Sequence, residues 1–276
     1  MDETALIKDI ETIGIPSLSK VKCFGNHAIY FRSINPNVGL DACIYRYLSL
    51  SHMMELIDNQ RLYIPNRTSF TDLRDKLGIE KMIVDFSLPV KERIQQQLNS
   101  YTGVPSYREK KWYRTNKEII HEIMSLCISC WTLDRRPNGK SDESFLMWKA
   151  YKTEQTICRI GTTIQSLIDS IEAISCDILI SDVDYGDKCK SICDKMIFQK
   201  SMYYDNEQEV RLVALSTASH VDISINPQIM IKEIITSPFL TPLEEIGLIQ
   251  ELKKRYNLFS DIIKPSKVME YPYYKN

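Results

Sequence analysis

Two glutamates stand one residue apart in the segment YYDNEQEVRLVAL, where an apolar run begins. On a β-strand, Glu207 and Glu209 would share a face because alternate side chains point the same way. Like charges held side by side cost free energy, so the pair needs a positive partner. One interpretation is a solvated strand end with Lys200 or Arg211 as its counter-charge. The other is a site whose carboxylates meet a positive charge only during a reaction.

Two further segments carry side chains suited to a phosphorylated ligand. Arg46 lies between aromatic residues in IYRY, and its planar guanidinium can donate two parallel hydrogen bonds to phosphate oxygens. Ser129 lies at the centre of CISCWT, and alternation puts Trp131 on the same face of that strand. Taken singly, Arg46 is typical of a surface arginine and Ser129 of a buried, hydrogen-bonded hydroxyl.

The elements that must position these residues form a mixed inventory. Apolar, aromatic and β-branched runs predict strands in ACIYRYLSL, RLYIP, LCISCWT, TICRI, CDILISDVDY, EVRLVAL and IKEIITSP. Helical periodicity predicts helices in SHMMELIDNQ, SFLMWKAY, TTIQSLIDSIEA and TPLEEIGLIQELKKRYN, and SFLMWKAY should bury Leu146, Met147 and Trp148. Strands and helices do not alternate regularly, which disfavours a doubly wound parallel sheet. We predict an α+β fold in a single domain, residues 1–276, with a core at about 42–268 and a helical insert at about 75–124.

Composition and motif searches exclude several classes of function. A net charge of −1 over 276 residues disfavours binding of polyanions by the chain as a whole. The N-terminal segment lacks a basic-then-apolar leader, and no run of 18 uncharged apolar residues occurs, so we predict a cytoplasmic protein without membrane association. No G-x-G-x-x-G or complete phosphate loop occurs. The four histidines are scattered, and Cys127 and Cys130 should face opposite sides of a strand, so we expect no metal site.

The order of the three segments resembles the ADP-ribosyltransferase pattern. That pattern has an arginine on a first strand, a serine motif on a middle strand, and Glu-x-Glu before a later strand, as in IYRY, CISCWT and NEQEVRLV here. The chain is also similar to an uncharacterised bacterial family associated with that fold, through YRYLSL, LIDNQRLYIPNRTSFTD, LMWKAY, QKSMYYDNEQEVRLV and IKEIITSPFLTP. The resemblance implies an ADP-ribosyltransferase-like split β-sandwich with NAD as the substrate.

The resemblance also implies a role for each candidate residue. Cleavage of the nicotinamide–ribose bond passes through an oxocarbenium-like state, as glycoside cleavage does, and Glu209 would stabilise it. Glu207 would orient or deprotonate the acceptor. Arg46 would hold the pyrophosphate of NAD. The remaining cofactor-binding candidates are Ser129, Trp131, Phe70 and Tyr151.

The resemblance leaves the acceptor and the biological role open. The acceptor would be a protein or a nucleic acid, and the enzyme would act as a bacterial toxin or antiviral (phage-defence) effector that an antitoxin protein neutralises. The basic and aromatic segment YREKKWYRTNK, Tyr107 to Lys117, is a candidate nucleic-acid contact or simply an exposed helix. Departures from the pattern around Phe70 and Tyr204 motivate an alternative, a nucleotide- or partner-binding module without turnover. An NAD glycohydrolase would use the same residues.

Overall fold

The fold is known from a computed structural model that describes residues 18–69, 125–133, 143–152, 157–186, 188–189 and 197–268. The predicted helical insert at about 75–124, the basic segment within it, and Phe70 lie outside these residues. The described part has both helices and a mixed β-sheet, so the α+β prediction is confirmed.

The described residues form twelve strands, numbered here in chain order. They are β1 (Ser19–Phe24), β2 (His27–Arg32), β3 (Cys43–Ser49), β4 (Arg61–Pro65), β5 (Cys127–Leu133), β6 (Ile157–Thr163), β7 (Ile171–Ala173), β8 (Ile178–Asp182), β9 (Glu209–Ala214), β10 (His220–Ile225), β11 (Glu233–Thr236) and β12 (Ile263–Lys264). Apolar alternation gives each longer strand one face for the core, as in β10, where Val221, Ile223 and Ile225 are buried.

The described helices begin at side chains that cap their first turns. They are α1 (Leu50–Asn59), α2 (Phe145–Ala150), α3 (Ile164–Ser170), α4 (Pro227–Met230) and α5 (Pro242–Arg255), with 3₁₀ turns at Arg67–Ser69, Met202–Glu207 and Asn257–Phe259. Ser49, Ser144 and Thr163 each accept a hydrogen bond from a backbone N–H of the first turn. Thr241 and Glu244 form a capping box at the start of α5.

The strands form two sheets that enclose the core. The main sheet joins nine described strands in the order β1-β2-β8-β9-β5-β3-β6-β11-β12, and a second sheet has the order β4-β10-β7. Neighbours in the main sheet are antiparallel except for the β2–β8 and β11–β12 pairs. The buried cluster contains apolar side chains from the inner faces of both sheets and from α1, α3 and α5, so the core lies between these layers.

The opposite face of the main sheet is partly covered by α2. Met147 and Trp148 of this helix pack on Tyr47, Ile157 and Ile235 of the β3, β6 and β11 strands. Leu146 is 65% exposed, so the prediction that it is buried was wrong. A helix of six residues places only part of its length against the sheet, and Leu146 points away.

Each of the two sheets includes strands that the sequence patterns did not predict. The β1–β2 hairpin precedes residue 42, where we expected the core to begin, and it joins the main sheet through β8. The segment predicted as one helix, TTIQSLIDSIEA, ends as α3 at Ser170 and continues as β7. Strand β10 was also missed.

Among the described helices, none has the length and apolar character needed to span a membrane.

Candidate active site

Glu209 is held in a buried ion pair at the beginning of β9. Its Oε1 accepts a hydrogen bond from Arg211 Nε at 3.0 Å, and its Oε2 accepts one from Arg211 Nη2 at 3.1 Å. The two residues alternate on one strand and therefore share a face, and both are nearly inaccessible to water. Cys130, which is opposite Arg211 in the ladder between β5 and β9, also donates a hydrogen bond to the carboxylate. This bidentate geometry fixes the orientation of Glu209.

Glu207 lies close to Glu209 but belongs to a different element. It is the last residue of the 3₁₀ turn Met202–Glu207, and Gln208 has a positive φ of 46° that turns the chain into β9. The expectation that both glutamates lie on one strand was therefore wrong. They still meet, because Lys200 Nζ lies 2.6 Å from Glu207 Oε2 and 3.5 Å from Glu209 Oε2. The ring of Tyr204 lies 4.8 Å from the same Nζ.

These cations decide the charge state of the site. Burial alone would raise the pKa of Glu209, but Arg211 and Lys200, together with the hydrogen bonds from Arg211 and Cys130, hold that pKa at about 2. Glu209 is therefore ionised at neutral pH. The expectation that the glutamates meet a positive charge only during a reaction was wrong, because Lys200 and Arg211 neutralise the pair at rest.

Arg46 lies where the main sheet divides. Strands β3 and β5 pair only at Ile44–Leu133 and Tyr45–Thr132, and beyond Tyr45 the ladder between them ends. The Arg46 guanidinium lies 5.9 Å from the centre of the Trp131 ring, at this gap. Burial lowers the pKa of Arg46, while Cys130 and Tyr151, both close to it, act in the opposite direction.

Tyr151 connects Arg46 to the glutamates. It is the C-cap of α2, and its ring stacks on Tyr47 with the centroids 5.5 Å apart. Desolvation of its hydroxyl, followed by the nearby Cys130, Glu209 and Glu207, raises the pKa of Tyr151, and Arg46 opposes that shift. The residue is 42% exposed, so its ring also forms part of the protein surface at the gap. Arg46, Tyr151 and Glu209 thus belong to one neighbourhood.

A cleft of about 200 Å³ opens beside Glu209, on the side of β8. The Tyr185 hydroxyl accepts a hydrogen bond from the Glu209 backbone N–H at 2.8 Å in this region. Burial, then the neighbouring Glu209, raises the pKa of Tyr185, so the phenol stays protonated and able to donate. The cleft is lined by polar groups and a few apolar ones, among them Asn35, Leu133, Asp182, Tyr185, Gln208 and Glu209.

Ser129 and Trp131 lie in the core between the sheets, on the face of β5 opposite Glu209. Each is 1% exposed, and the Trp131 Nε1–H donates to Ser129 Oγ at 3.1 Å. Ser129 is opposite Leu212 in the ladder, whereas Glu209 is opposite Thr132, so the serine and the glutamate point to opposite faces of the sheet. The geometry gives Ser129 a packing role and makes Trp131 a neighbour of Arg46. Direct ligand contacts by these two residues stay predictions.

The structure adds members that the sequence patterns did not single out for the site. The sequence indicated Arg211 and Lys200 only as counter-charges. Because Glu209 and Arg211 alternate on the predicted strand, the sequence did indicate that their side chains share a face. Cys130 and Tyr185 gave no signal, because their proximity to Glu209 depends on which strands are neighbours in the sheet. Within the described ranges, no three or more His, Cys, Asp or Glu side chains are grouped so as to hold a metal ion.

The chain was compared with protein-family models, curated proteins and solved structures, and none of them matched.

Proposed function

We propose that the protein is an NAD-dependent ADP-ribosyltransferase that modifies an intracellular protein or nucleic acid. The observation that carries the proposal is the adjacency of β9, β5 and β3, with a gap between β5 and β3 beyond Tyr45. Arg46 leaves β3 on the face opposite Glu209, but at the gap its guanidinium lies close to Tyr151, which also lies close to Glu209. The guanidinium and the ionised carboxylate therefore belong to one neighbourhood. The two facing sheets and the gap also support the finer assignment to an ADP-ribosyltransferase-like split β-sandwich.

The chemistry assigns one role to each side chain. Arg46 binds the pyrophosphate of NAD through charge-assisted hydrogen bonds. As the bond between nicotinamide and the ribose C1′ breaks, its electron pair leaves with nicotinamide, and the ionised Glu209 stabilises the positive charge on the sugar. An acceptor nucleophile then bonds to C1′ and releases its proton to Glu207, whose side chain is 32% exposed. Tyr151 lies between Arg46 and Glu209 and forms a wall of the site.

The biological role follows from the same activity. Modification of an essential macromolecule would slow growth, which suits a toxin or an antiviral effector controlled by an antitoxin protein. Induced expression of the wild-type chain in a bacterial host should slow growth, and Arg46→Ala should relieve the effect. Equal growth with and without induction would contradict this role.

The activity is tested by nicotinamide release from NAD and by transfer of labelled ADP-ribose to proteins or RNA of a cell extract. Arg46→Ala removes charge-assisted hydrogen bonds of about 1.5–3 kcal/mol and should raise the KM for NAD about 10- to 100-fold. Glu209→Gln should lower kcat by about 100-fold or more. Arg61→Ala is the matched control, because the Arg61 side chain is 64% exposed on the second sheet.

Thermal unfolding of each variant separates loss of activity from loss of fold, since Glu209 and Arg211 are a buried pair. A wild-type protein that releases no nicotinamide and transfers no label overturns the proposal. Label that appears only as free ADP-ribose identifies an NAD glycohydrolase instead.

One observation favours a second candidate function, nucleotide binding without turnover. Both oxygens of Glu209 are already engaged by Arg211, and Lys200 neutralises the pair further. A binding module would retain this charge balance around a bound ligand. Calorimetric titration that shows nucleotide binding lost in Arg46→Ala, with no product over several hours, would establish the module and exclude the transferase.

A further inference from the structure

We propose that Lys200 is a positioning residue that holds Glu207 beside Glu209, so that the two carboxylates act as a pair. The inference rests on the proposed function for its enzymatic consequence, but its structural part stands on contacts of Lys200 alone. Without Lys200, two negative side chains from different elements would lie next to each other and repel. The contact of 2.6 Å that holds the Glu207 carboxylate beside Glu209 would also be lost.

The position of Lys200 is fixed by its backbone and by its surroundings. Its backbone N–H donates to the Asp184 carbonyl at 2.9 Å, and the Asp184 N–H donates to the Phe198 carbonyl at 2.7 Å. This bridge ties the segment before the 3₁₀ turn to the end of β8. The Lys200 side chain is only 9% exposed, and the Tyr204 ring covers its ammonium group. A lysine this enclosed has lost most of its rotamer freedom, so its ammonium is a fixed charge rather than a mobile surface one.

Lys200 and Arg211 make different contacts with the two glutamates. Arg211 binds Glu209 through both oxygens and makes no ion pair with Glu207 within the described residues. Lys200 forms an ion pair with each of the two glutamates. Loss of Arg211 would remove the bidentate contact with Glu209, whereas loss of Lys200 would remove the 2.6 Å contact with Glu207 and leave the Arg211–Glu209 pair in place. The acceptor step, which uses Glu207, should depend on Lys200 more than the binding of NAD does.

The charged or titratable groups that face Glu209 within the described residues bear on the pH dependence of this pair. The groups are Arg211 on β9, Cys130 on β5, Lys200 and Glu207 from the turn segment, Tyr185 after β8 and Tyr151 after α2. Of these, Arg211 and Lys200 are the cations that lower the pKa of Glu209. Removal of Lys200 should therefore raise that pKa.

The test compares Lys200→Met and Lys200→Arg with the wild type. Lys200→Met should lower the ratio of transferred ADP-ribose to released nicotinamide by about 100-fold while the KM for NAD changes less than about threefold. Lys200→Arg keeps the charge and should recover most of the ratio. Lys20→Met is the matched control, because Lys20 also lies over a tyrosine ring, that of Tyr30 at 5.6 Å, but at the outer edge of the main sheet.

A second measurement does not require activity. Carbon-13 NMR titration of glutamate carboxylates should show the Glu209 midpoint at higher pH in Lys200→Met than in the wild type. An unchanged midpoint, or an unchanged transfer ratio in an active enzyme, overturns the inference. If the midpoint moves but the wild type has no activity toward NAD, the charge contact of Lys200 stands and the transferase proposal fails.

Discussion

At the scale of the residue, the site consists of buried charges. The free-energy cost of burying them is offset by well-oriented hydrogen bonds between them. An isolated carboxylate in the position of Glu209 would protonate rather than remain charged in the protein interior. The planar guanidinium of Arg211 matches both of its oxygens, and a lysine would match only one. The pair is therefore worth little to stability when whole and costs much when broken.

Breaking the pair gives the first prediction. Arg211→Met leaves the Glu209 carboxylate buried without its bidentate partner, and we expect the free energy of unfolding to fall by about 3–5 kcal/mol. Arg255→Met removes an exposed ion pair with Asp58 and should cost less than about 1 kcal/mol. Urea denaturation measures both. Equal losses in the two variants would contradict the structural importance of the buried pair.

The pH dependence of stability gives the second prediction. The pKa of Glu209 is about 2 in the folded protein against an ordinary value of 4.5, so its ionisation stabilises the fold above pH 4.5. That contribution is lost as pH falls from 4.5 toward 2. Glutamine mimics the protonated acid, so the stability difference between the wild type and Glu209→Gln should be largest above pH 5 and shrink toward pH 2. Denaturation at several pH values checks this, and a constant difference would contradict it.

At the scale of the element, α2 is too short to be stable alone and is fixed by contacts with distant residues. Glu143, just before the helix, accepts hydrogen bonds from Trp148 Nε1 at 3.2 Å and from the Lys267 backbone N–H at 2.9 Å, and Ser266 Oγ also donates to it. The helix is thereby tied to the segment after β12. Tyr151, at the end of α2, owes its place beside Arg46 to this arrangement.

The third prediction tests the attachment of α2 through Glu143. Glu143→Ala removes these hydrogen bonds and should lower the free energy of unfolding by about 2–3 kcal/mol. Trp148 should become more exposed to water, which red-shifts its fluorescence. Glu251→Ala, an exposed position on α5, should change stability by less than about 0.5 kcal/mol. A Glu143→Ala variant as stable as Glu251→Ala would show that α2 is held by its apolar contacts alone.

At the scale of the whole molecule, the N-terminal hairpin is part of the same folded unit as the site. A bulge between Lys20 and Lys22 interrupts the alternation of β1, so Lys22 reaches the core side while Lys20 lies over Tyr30 on the other. Lys22 Nζ donates to the carbonyls of Ile168, Asp169 and Ile171 at the C-terminus of α3. An ammonium there is favourable, because the carbonyl end of a helix carries partial negative charge.

The fourth prediction measures this attachment. Lys22→Met should lower the free energy of unfolding by about 1.5–3 kcal/mol, because hydrogen bonds from a charged group are lost. Lys20→Met, two residues away on the same strand, should cost less than about 1 kcal/mol. Equal stabilities of the two variants, measured by urea denaturation, would mean that the hairpin is not anchored through Lys22.

The sequence was informative where the pattern was local and uninformative where contacts were remote. The strands carrying Arg46, Ser129 and Glu209 were predicted because their apolar alternation is strong. The β1–β2 hairpin was missed although Gly25, with its φ of 59°, and Asn26 form a short turn between two alternating segments. The contact of Lys200 with both glutamates depends on where the chain places the 3₁₀ turn, and no spacing rule encodes that.

The parallel pairing of β2 with β8 bears on how the chain acquires its structure during synthesis. Ala28 donates its backbone N–H to Asp177, a residue 149 positions later, so the hairpin has no sheet to join until that later strand has left the ribosome. Until then the nascent chain exposes the apolar side of β2, including Ile29, which is fully buried in the folded protein. Such long sequence separations slow the search for the native pairing, and the unfinished polypeptide is correspondingly open to capture by chaperones.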